Sequence, residues 1–197
     1  MIIGNDFEAI MYIRNYQKND LKSIIFLFRE TVHSVNSKDY TQEQVKIWAP
    51  ENIDEKSWHL SLLSHYTLVA IDKEKIVGFV DLDENYVDRL YVAKDYQRQK
   101  IATRLMDKIE NHAKKQGQIS LYSHVSITAK KFFLDRGYII NKEQYVKKQN
   151  ILFKNYIMEK IFIKIKTLIL LIICSNISVF LTFKEMKDKP SYDSDAK

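Results

Sequence analysis

The fold is decided by one stretch of the chain, Val87-Asp-Arg-Leu-Tyr-Val-Ala-Lys-Asp-Tyr-Gln-Arg-Gln-Lys-Ile-Ala-Thr-Arg-Leu-Met106. The segment 86–92 is rich in β-branched and aromatic residues, a composition typical of a strand. Apolar residues then recur at four-residue steps, at Ile101, Leu105 and Ile109, which predicts a helix with one apolar face packed on a sheet. The chain therefore passes from a strand through a short basic turn into a helix.

The basic turn between this strand and helix has the chemistry of an anion site. A turn that enters a helix exposes backbone N–H groups at the positive end of the helix dipole. Arg98, Lys100 and Arg104 add positive charge around these groups. The sequence therefore predicts capture of a phosphate or pyrophosphate group at residues 97–102.

The turn Gln97-Arg-Gln-Lys-Ile-Ala102 resembles the signature of the GNAT superfamily of N-acetyltransferases, Gln/Arg-x-x-Gly-x-Gly/Ala. In that superfamily the amides of the turn hold the pyrophosphate of acetyl-CoA. Gln97 fits the first position and Ala102 the last, but Lys100 stands where the first glycine is usual. Glycine lets the backbone approach phosphate closely and adopts positive φ without strain. We expect the lysine to be accommodated with a helical φ, its ammonium directed toward the phosphate.

A second segment supports the resemblance. The run Ala129-Lys-Lys-Phe-Phe-Leu-Asp-Arg-Gly-Tyr138 is similar to the superfamily's Ala-x-x-Phe-Tyr-x-x-x-Gly-Phe segment, which lies against the CoA arm. The resemblance spans roughly residues 11–160 and implies an α/β fold of the GNAT acyl-CoA N-acyltransferase type. Its central sheet is expected to be mixed, mostly antiparallel and flanked by helices, with an apolar C-terminal helix added.

Segments on both sides of the basic turn fit this fold in order. Thr41 and Gln44 form a capping-box pattern that predicts a helix start, and Gly117 is expected to end the long helix. The remaining expected elements are a strand at 12–16, helices at 20–32 and 54–64, strands at 66–72, 75–83 and 118–123, a helix at 127–135 and a last strand at 151–160.

The resemblance implies an acetyl-CoA-dependent N-acetyltransferase that moves the acetyl group to a primary amine by direct attack in a ternary complex. No metal is expected, and the lone cysteine, Cys174, excludes a cysteine-based metal finger. Acetyl-CoA is expected to contact the end of the fourth strand, the basic turn and the short helix that follows. These positions are Leu90, Tyr91, Val92, Gln97, Arg98, Gln99, Lys100, Ile101, Ala102, Thr103 and Phe133.

Two groups on the fourth strand are the catalytic candidates. By the resemblance, the backbone N–H of Leu90 stabilises the oxyanion and Val92 pairs with the pantetheine arm. Strand alternation places Tyr86, Asp88 and Leu90 on one face, so the Asp88 carboxylate is expected beside the reaction centre as general base. The alternative is a structural ion pair of Asp88 with Arg89.

Other roles in the reaction stay open in the sequence. Asp81, Asp83 and Glu84 are rival carboxylates, either for the base or for binding a cationic acceptor. Many GNAT enzymes place a tyrosine that protonates the leaving thiolate at the position of Phe133, which has no proton to donate. The alternatives for that role are solvent, Tyr122, Ser123, His124, Ser126 and Tyr156.

The acceptor pocket of this superfamily is roofed by the region between the first helix and the second strand. The expected acceptor contacts are His33, Tyr40, Trp48 and Asp83, with Asn36 and Asp39 in the same region. The alternative is that Trp48 and Trp58 are core anchors and the polar residues cap turns.

Composition fits one modest domain in the cytoplasm. With 197 residues, 46% of them hydrophobic, the chain can bury one sizeable core. Its net charge of +6 comes without the basic and aromatic stripe that single-strand binders use, so no nucleic-acid partner is expected. Nothing at the start of the chain reads as a secretory signal.

The two ends of the chain fall outside the resemblance. Residues 1–10 are expected to be an extension, 161–183 an apolar helix and 184–197 a polar disordered tail. The apolar helix is a candidate anchor to the inner face of the cell membrane. Its alternatives are packing on the domain or on a second copy in a homodimer, or a non-native appendage. The corresponding alternatives for function are a non-catalytic CoA-binding module and a membrane-tethered interaction protein.

Overall fold

The computed structural model describes residues 11–162, which belong to one compact unit up to Ile161. The predicted extension at 1–10, the polar tail at 184–197 and the apolar segment beyond Phe162 lie outside the described residues. The anchor and the C-terminal helix therefore stay predictions.

Strands and helices alternate along the described chain, as the sequence predicts. The strands are β1 (Tyr12–Asn15), β2 (Tyr66–Asp72), β3 (Lys75–Asp83), β4 (Tyr86–Val92), β5 (Ser120–Ser126), β6 (Ile139–Lys148) and β7 (Ile151–Ile161). The helices are α1 (Leu21–Ser34), α2 (Gln42–Trp48), α3 (Glu55–Ser64), α4 (Ile101–Lys115) and α5 (Lys130–Asp135).

The strands form one seven-stranded sheet in the order β1-β2-β3-β4-β5-β7-β6. All neighbours are antiparallel except β4 and β5, which are parallel. This pair meets only at Tyr86 and Tyr122 among the described residues. The expectation of a mixed, mostly antiparallel sheet flanked by helices is confirmed, and the sheet has a gap between its two central strands.

Helix α4 packs very closely on β3. Its apolar stripe is buried, as the four-residue spacing predicts, and includes Ile101 and Leu105. The close approach requires a residue without a side chain at Gly78, because a Cβ there would lie 3.1 Å from both the Tyr91 carbonyl oxygen and Cγ2 of Ile101. Gly78 therefore sets the position of the helix whose first turn carries the predicted anion site.

Helices α1 and α3 cover the opposite side of the sheet. The rings of Phe28 on α1 and Tyr91 on β4 meet edge to face with their centroids 5.0 Å apart. Trp58 on α3 packs on the same Phe28 at 4.8 Å. These contacts place the core between the helices and the first four strands, and they support the interpretation of Trp58 as a core anchor.

The capping box at Thr41 is confirmed. The Thr41 hydroxyl accepts the N–H of Gln44 at 3.2 Å, and the Gln44 side chain accepts the N–H of Thr41 at 2.8 Å. The same Gln44 donates to the Leu152 carbonyl at 2.7 Å, and the Tyr40 hydroxyl donates to the Lys154 carbonyl at 2.8 Å. These bonds tie α2 and its entry turn to the β6–β7 hairpin.

Three predicted boundaries are wrong. Strand β5 runs from Ser120 to Ser126 rather than over 118–123, and α5 begins at Lys130 rather than at 127, because a turn stabilised by the Ser126 hydroxyl precedes it. Ile161 continues β7 by pairing with Ser120 and does not begin the apolar helix. Within residues 11–162, no helix is both long and apolar enough to cross a bilayer.

Replacing Gly78 with alanine tests whether this glycine sets the position of α4 on β3. The added methyl group must displace either the Tyr91 carbonyl or the helix, so we expect Gly78→Ala to lower the free energy of unfolding by about 1–3 kcal/mol and to weaken CoA binding. Urea denaturation and calorimetry measure the two effects.

The matched control is Thr41→Ala, which removes a helix cap on the other side of the sheet. It should cost about 1 kcal/mol and leave CoA affinity unchanged. Full CoA affinity in a destabilised Gly78→Ala variant would contradict the link between this glycine and the anion site.

Candidate active site

One cavity of about 410 Å³ opens along the gap between β4 and β5. Most of the residues predicted to contact CoA, acceptor or reacting atoms line it. They are Trp48, Asp88, Leu90, Tyr91, Val92, Gln97, Arg98, Lys100, Ile101, Ala102, Thr103 and Phe133. The tertiary structure therefore brings the basic turn, the strand and the short helix to one site.

The backbone of β4 directs two amides into the gap. Ala93 donates its N–H to the Val77 carbonyl on β3 at 2.9 Å. Because hydrogen bonding alternates along an antiparallel ladder, the N–H groups of Leu90 and Val92 point away from β3 and toward β5. The Leu90 amide thus has the orientation that its predicted role as oxyanion donor requires.

The width of the gap is set where β4 and β5 last touch. Ser123 on β5 donates its hydroxyl to the Val87 carbonyl at 2.7 Å, and the side chain is buried. This bond satisfies a carbonyl that a regular ladder would have paired with backbone. Beyond it, the two strands diverge and the amides of β4 face the cavity.

The basic turn has an unexpected backbone. Arg98 and Lys100 both have left-handed φ values, 60° and 62°. The expectation of a helical φ for Lys100 is therefore wrong, because the chain must reverse sharply before α4 and the N-cap takes the conformation that glycine adopts without strain. Left-handed residues in a turn gather successive N–H groups into an anion-binding concavity.

The first turn of α4 keeps its amides free for an anion. The first helical bond runs from Arg104 N–H to the Lys100 carbonyl at 2.9 Å, and the Lys100 side chain does not cap the helix. The preceding residues Ile101, Ala102 and Thr103 all line the cavity. With no acidic residue in this turn, its positive end is uncompensated by the chain itself.

Three predicted residues of the turn have other roles. The Gln97 side chain donates to the Val92 carbonyl at 2.6 Å and so braces the turn against β4. Gln99 does not line the cavity, and its side chain donates to the Asp95 carbonyl at 3.2 Å. The prediction that Arg104 surrounds the anion is wrong, because its guanidinium points outward to the Met11 carbonyl at 3.0 Å.

A β-bulge changes the face on which Asp88 lies. Leu82 pairs with Val87 and Asp81 with Arg89, so Asp88 is an extra residue in β4. The predicted alternation of Asp88 with Leu90 is therefore wrong, since a bulge places two successive side chains opposite one partner. Asp88 lies with Arg89 opposite Asp81, while its carboxylate still borders the cavity.

The alternative ion pair of Asp88 exists but is the weaker of two. Arg89 Nε lies 3.3 Å from Asp88 Oδ2. The same guanidinium makes three hydrogen bonds of 2.5–3.1 Å to Asp81, whose side chain is 0% exposed. Asp81 is thereby excluded as a rival base, whereas Asp88 keeps 35% of its side chain exposed.

The electrostatic setting favours proton uptake by Asp88. Burial is the largest effect and raises the pKa of Asp88, and the negative charge of Asp81 raises it further. The neighbouring Arg89 and His65 oppose this rise. A carboxylate with a raised pKa beside a cavity is a sound candidate for a general base.

The candidates for protonating the thiolate are separated by the structure. Phe133 is buried and lines the cavity, and its ring carries no hydroxyl. Ser123, His124 and Ser126 line the cavity, whereas Tyr122 and Tyr156 do not.

Of the residues predicted to contact the acceptor, some line the cavity and others do not. Trp48 lines the cavity, as does Asn36. His33, Tyr40 and Asp83 do not: His33 Nε2 lies 2.9 Å from the Ala49 carbonyl, and Tyr40 bridges the Lys154 carbonyl and the Ile127 N–H. For these residues, the interpretation as turn and core residues agrees with their contacts.

Several lining residues escaped sequence reasoning. They are Thr31, Val35, Tyr96, Val125 and Thr128. Thr31 donates to the Val92 carbonyl at 3.3 Å from the last turns of α1. No local signal marks such residues, because only the packing of α1 over β4 brings them to the gap.

Comparison with known proteins agrees with this geometry. A family model described as an acetyltransferase (GNAT) domain matches residues 36–160. The chain is 33% identical over 146 residues to the uncharacterized N-acetyltransferase YafP of Escherichia coli (strain K12), a match that covers 74% of this chain and 93% of that protein.

Solved structures give the same fold. A GCN5-related N-acetyltransferase from Rhodopseudomonas palustris superposes with a TM-score of 0.75 at 28% identity, covering 81% of this chain and all of the other. The PaiA N-acetyltransferase from Thermoplasma acidophilum, solved with coenzyme A, has a TM-score of 0.65 at 20% identity and covers 78% of this chain and 99% of its own. On its sequence, its fold and its cleft, the chain belongs to the GNAT family of N-acetyltransferases.

Proposed function

We propose that this enzyme transfers the acetyl group of acetyl-CoA to a primary amine by direct attack, with Asp88 as general base and the Leu90 N–H as oxyanion donor. The observation that carries the proposal is the gap between β4 and β5. Two unpaired amides of β4 and the uncapped start of α4 border the same cavity.

Acetyl-CoA fits this cavity in one direction. Its pyrophosphate suits the turn at Arg98 and Lys100, where free amides and two cations meet. Its pantetheine arm then follows the gap and brings the thioester to Leu90. Two fold neighbours were solved with such ligands, PaiA with coenzyme A and YncA of Salmonella typhimurium with acetyl-CoA, which supports acetyl-CoA as the donor.

The chemistry needs no covalent enzyme intermediate. The amine nitrogen attacks the thioester carbon, a C–N bond forms, and the carbonyl oxygen becomes an oxyanion near the Leu90 N–H. The amine's proton passes to Asp88, the C–S bond breaks, and the CoA thiolate leaves and takes a proton from water. Residues 11–162 contain no cysteine, which agrees with direct attack.

The acceptor approaches from the side of Trp48 and Asn36. Both residues line the cavity and belong to the segment predicted to roof the acceptor pocket. The indole offers an apolar wall to the acceptor, and the carboxamide both donates and accepts hydrogen bonds. Asp83 lies at the outer end of β3, away from the cavity lining.

A non-catalytic CoA-binding module is the second candidate function, because Phe133 lines the cavity without a hydroxyl.

The apolar segment 161–183 is the basis of two further proposals. It either anchors the protein to a membrane or joins two copies in a homodimer. A chain that ends at Ile161 should lose membrane association in fractionation if the segment is an anchor. It should change only in oligomeric mass if the segment joins two copies.

Two substitutions at Lys100 separate its charge from its backbone. Lys100→Gly relieves the left-handed φ and should raise the free energy of unfolding by up to about 1 kcal/mol, whereas Lys100→Ala should not. Both remove the ammonium and should weaken acetyl-CoA binding about five- to tenfold in calorimetry. Wild-type affinity in Lys100→Gly would show that the ammonium is not a phosphate ligand.

The substitution Asp88→Asn tests the role of Asp88 as general base. Asp88→Asn cannot accept the amine's proton, so kcat should fall by about 10²–10⁴ with acetyl-CoA affinity retained. Because the pKa of Asp88 is raised, wild-type kcat/KM should fall on acidification at a higher pH than an ordinary aspartate would give. The assay is CoA release with a panel of diamines, aryl-alkylamines, amino acids and peptides with free N-termini.

The control for this experiment is Asp135→Asn, which removes a carboxylate that is 62% exposed and pairs with Lys131 away from the cavity. It should leave kcat unchanged. Full turnover by Asp88→Asn would reject the assigned base, and an absence of turnover in the wild type with every amine would favour the binding module.

A further inference from the structure

A cluster of charged side chains lies behind Asp88, and the mechanism above does not use it. Its centre is Asp81 on β3, with a side chain that is 0% exposed. Asp81 Oδ2 lies 2.7 Å from His65 Nδ1 and 2.5 Å from Arg89 Nη2. A buried carboxylate costs several kcal/mol unless such partners compensate it, so the cluster holds its members in fixed positions.

Arg89 contacts several members of the cluster and its surroundings. Besides Asp81, its guanidinium donates to the Ser61 hydroxyl at 2.6 Å and lies 4.9 Å from the ring centre of Trp58. The bulge in β4 then sets its Nε 3.3 Å from Asp88 Oδ2. The guanidinium of Arg89 is therefore held in one position, and most of its hydrogen bonds go to the negatively charged Asp81.

His65 is the variable charge in the cluster. It follows α3 directly, and its side chain is 14% exposed. One ring nitrogen of His65, one oxygen of Asp81 and one oxygen of Asp88 all lie within 4.8 Å of one another. Asp81 and Arg89 act on the pKa of Asp88 in opposite directions, so the imidazole is the charge of the cluster that changes with pH.

We propose that His65 is a positioning residue for the catalytic carboxylate: fixed on Asp81, its imidazole sets the charge against which Asp88 takes the proton of the acceptor amine. The inference rests on the proposed role of Asp88. His65 does not itself line the cavity, and it acts on Asp88 through its charge.

The elements around Asp88 carry other charged and titratable groups. Strand β3 supplies Asp81 and Asp83, the latter 58% exposed and 3.7 Å from His65 Nε2. Strand β4 supplies Tyr86 and Arg89, and α3 presents the uncharged Ser61 and Trp58 to Arg89. From β5, His124 reaches the Tyr86 ring at 5.4 Å, without an ion pair to Asp88 among the described residues.

The sign of the effect follows from these contacts. The hydrogen bond to Asp81 raises the pKa of His65, so the imidazole keeps its proton to a higher pH than usual. While His65 is charged, it stabilises the Asp88 carboxylate and holds its pKa down. When His65 loses its proton, Asp88 becomes a stronger base, in the direction in which amine acceptors also lose theirs.

The test is a pH titration that needs no acceptor. Full-length protein labelled with ¹³Cγ-aspartate is followed by NMR, and Asp88→Asn assigns the Asp88 signal. In His65→Gln the side chain still donates to Asp81 but never carries a charge. We expect the Asp88 midpoint to rise by about 0.6–2.4 pH units, the effect of removing one charge about 5 Å away at an effective dielectric constant between about 80 and 20.

The matched control is His59→Gln, on α3. His59 pairs with the Tyr16 hydroxyl at 2.9 Å and should leave the Asp88 midpoint unchanged. An equal midpoint in wild type and His65→Gln would overturn the inference, because a merely structural histidine changes stability without moving this titration. His65→Asn provides the same comparison if His65→Gln does not fold.

Turnover separates this inference from the function on which it rests. Loss of kcat in Asp88→Asn with an unmoved midpoint in His65→Gln rejects the role of His65 alone. Full kcat in Asp88→Asn rejects the base itself, and the positioning role of His65 with it. Loss of kcat together with a raised midpoint supports both.

Discussion

The candidate active site depends on the divergence of β4 from β5. Two parallel strands in the middle of a sheet ordinarily satisfy each other's amides, but here they pair in register only at Tyr86 and Tyr122, and the Ser123 hydroxyl bonds the Val87 carbonyl. Beyond that point, Leu90 and Val92 present N–H groups to a cavity. Unpaired backbone donors are costly in a core, so this gap is stable only where water or a ligand reaches it.

Helix α4 brings a second set of free amides to the cavity that the gap opens, and these amides are available to an anion. Its position is set by contact with Gly78, and its direction by a turn with two left-handed residues. Lysine in place of glycine at position 100 costs backbone strain of about 1–2 kcal/mol but adds a cation at the predicted anion site. Strain retained beside a binding site is the usual pattern for a functional turn.

The bulge in β4 links the cavity to a cluster of charged residues around Asp81. It turns Asp88 and Arg89 toward the same buried carboxylate, Asp81, and so gives the base a fixed electrostatic background. Arg89 neutralises Asp81, and His65 adds a charge that changes with pH. On our proposal, the charge around the catalytic candidate is set by residues that do not line the cavity themselves.

Local patterns by themselves determined much of this protein: the bounds of β2, β3 and β4, the capping box at Thr41, the start of α4 and the place of the basic turn before it. These features depend on neighbours a few residues away, which sequence displays directly. The left-handed φ of Lys100, the face of Asp88 and the arrival of His65 beside it were decided only by the tertiary structure. A bulge arises from pairing with another strand, and a charge cluster from elements far apart in the chain, so neither leaves a periodic signal.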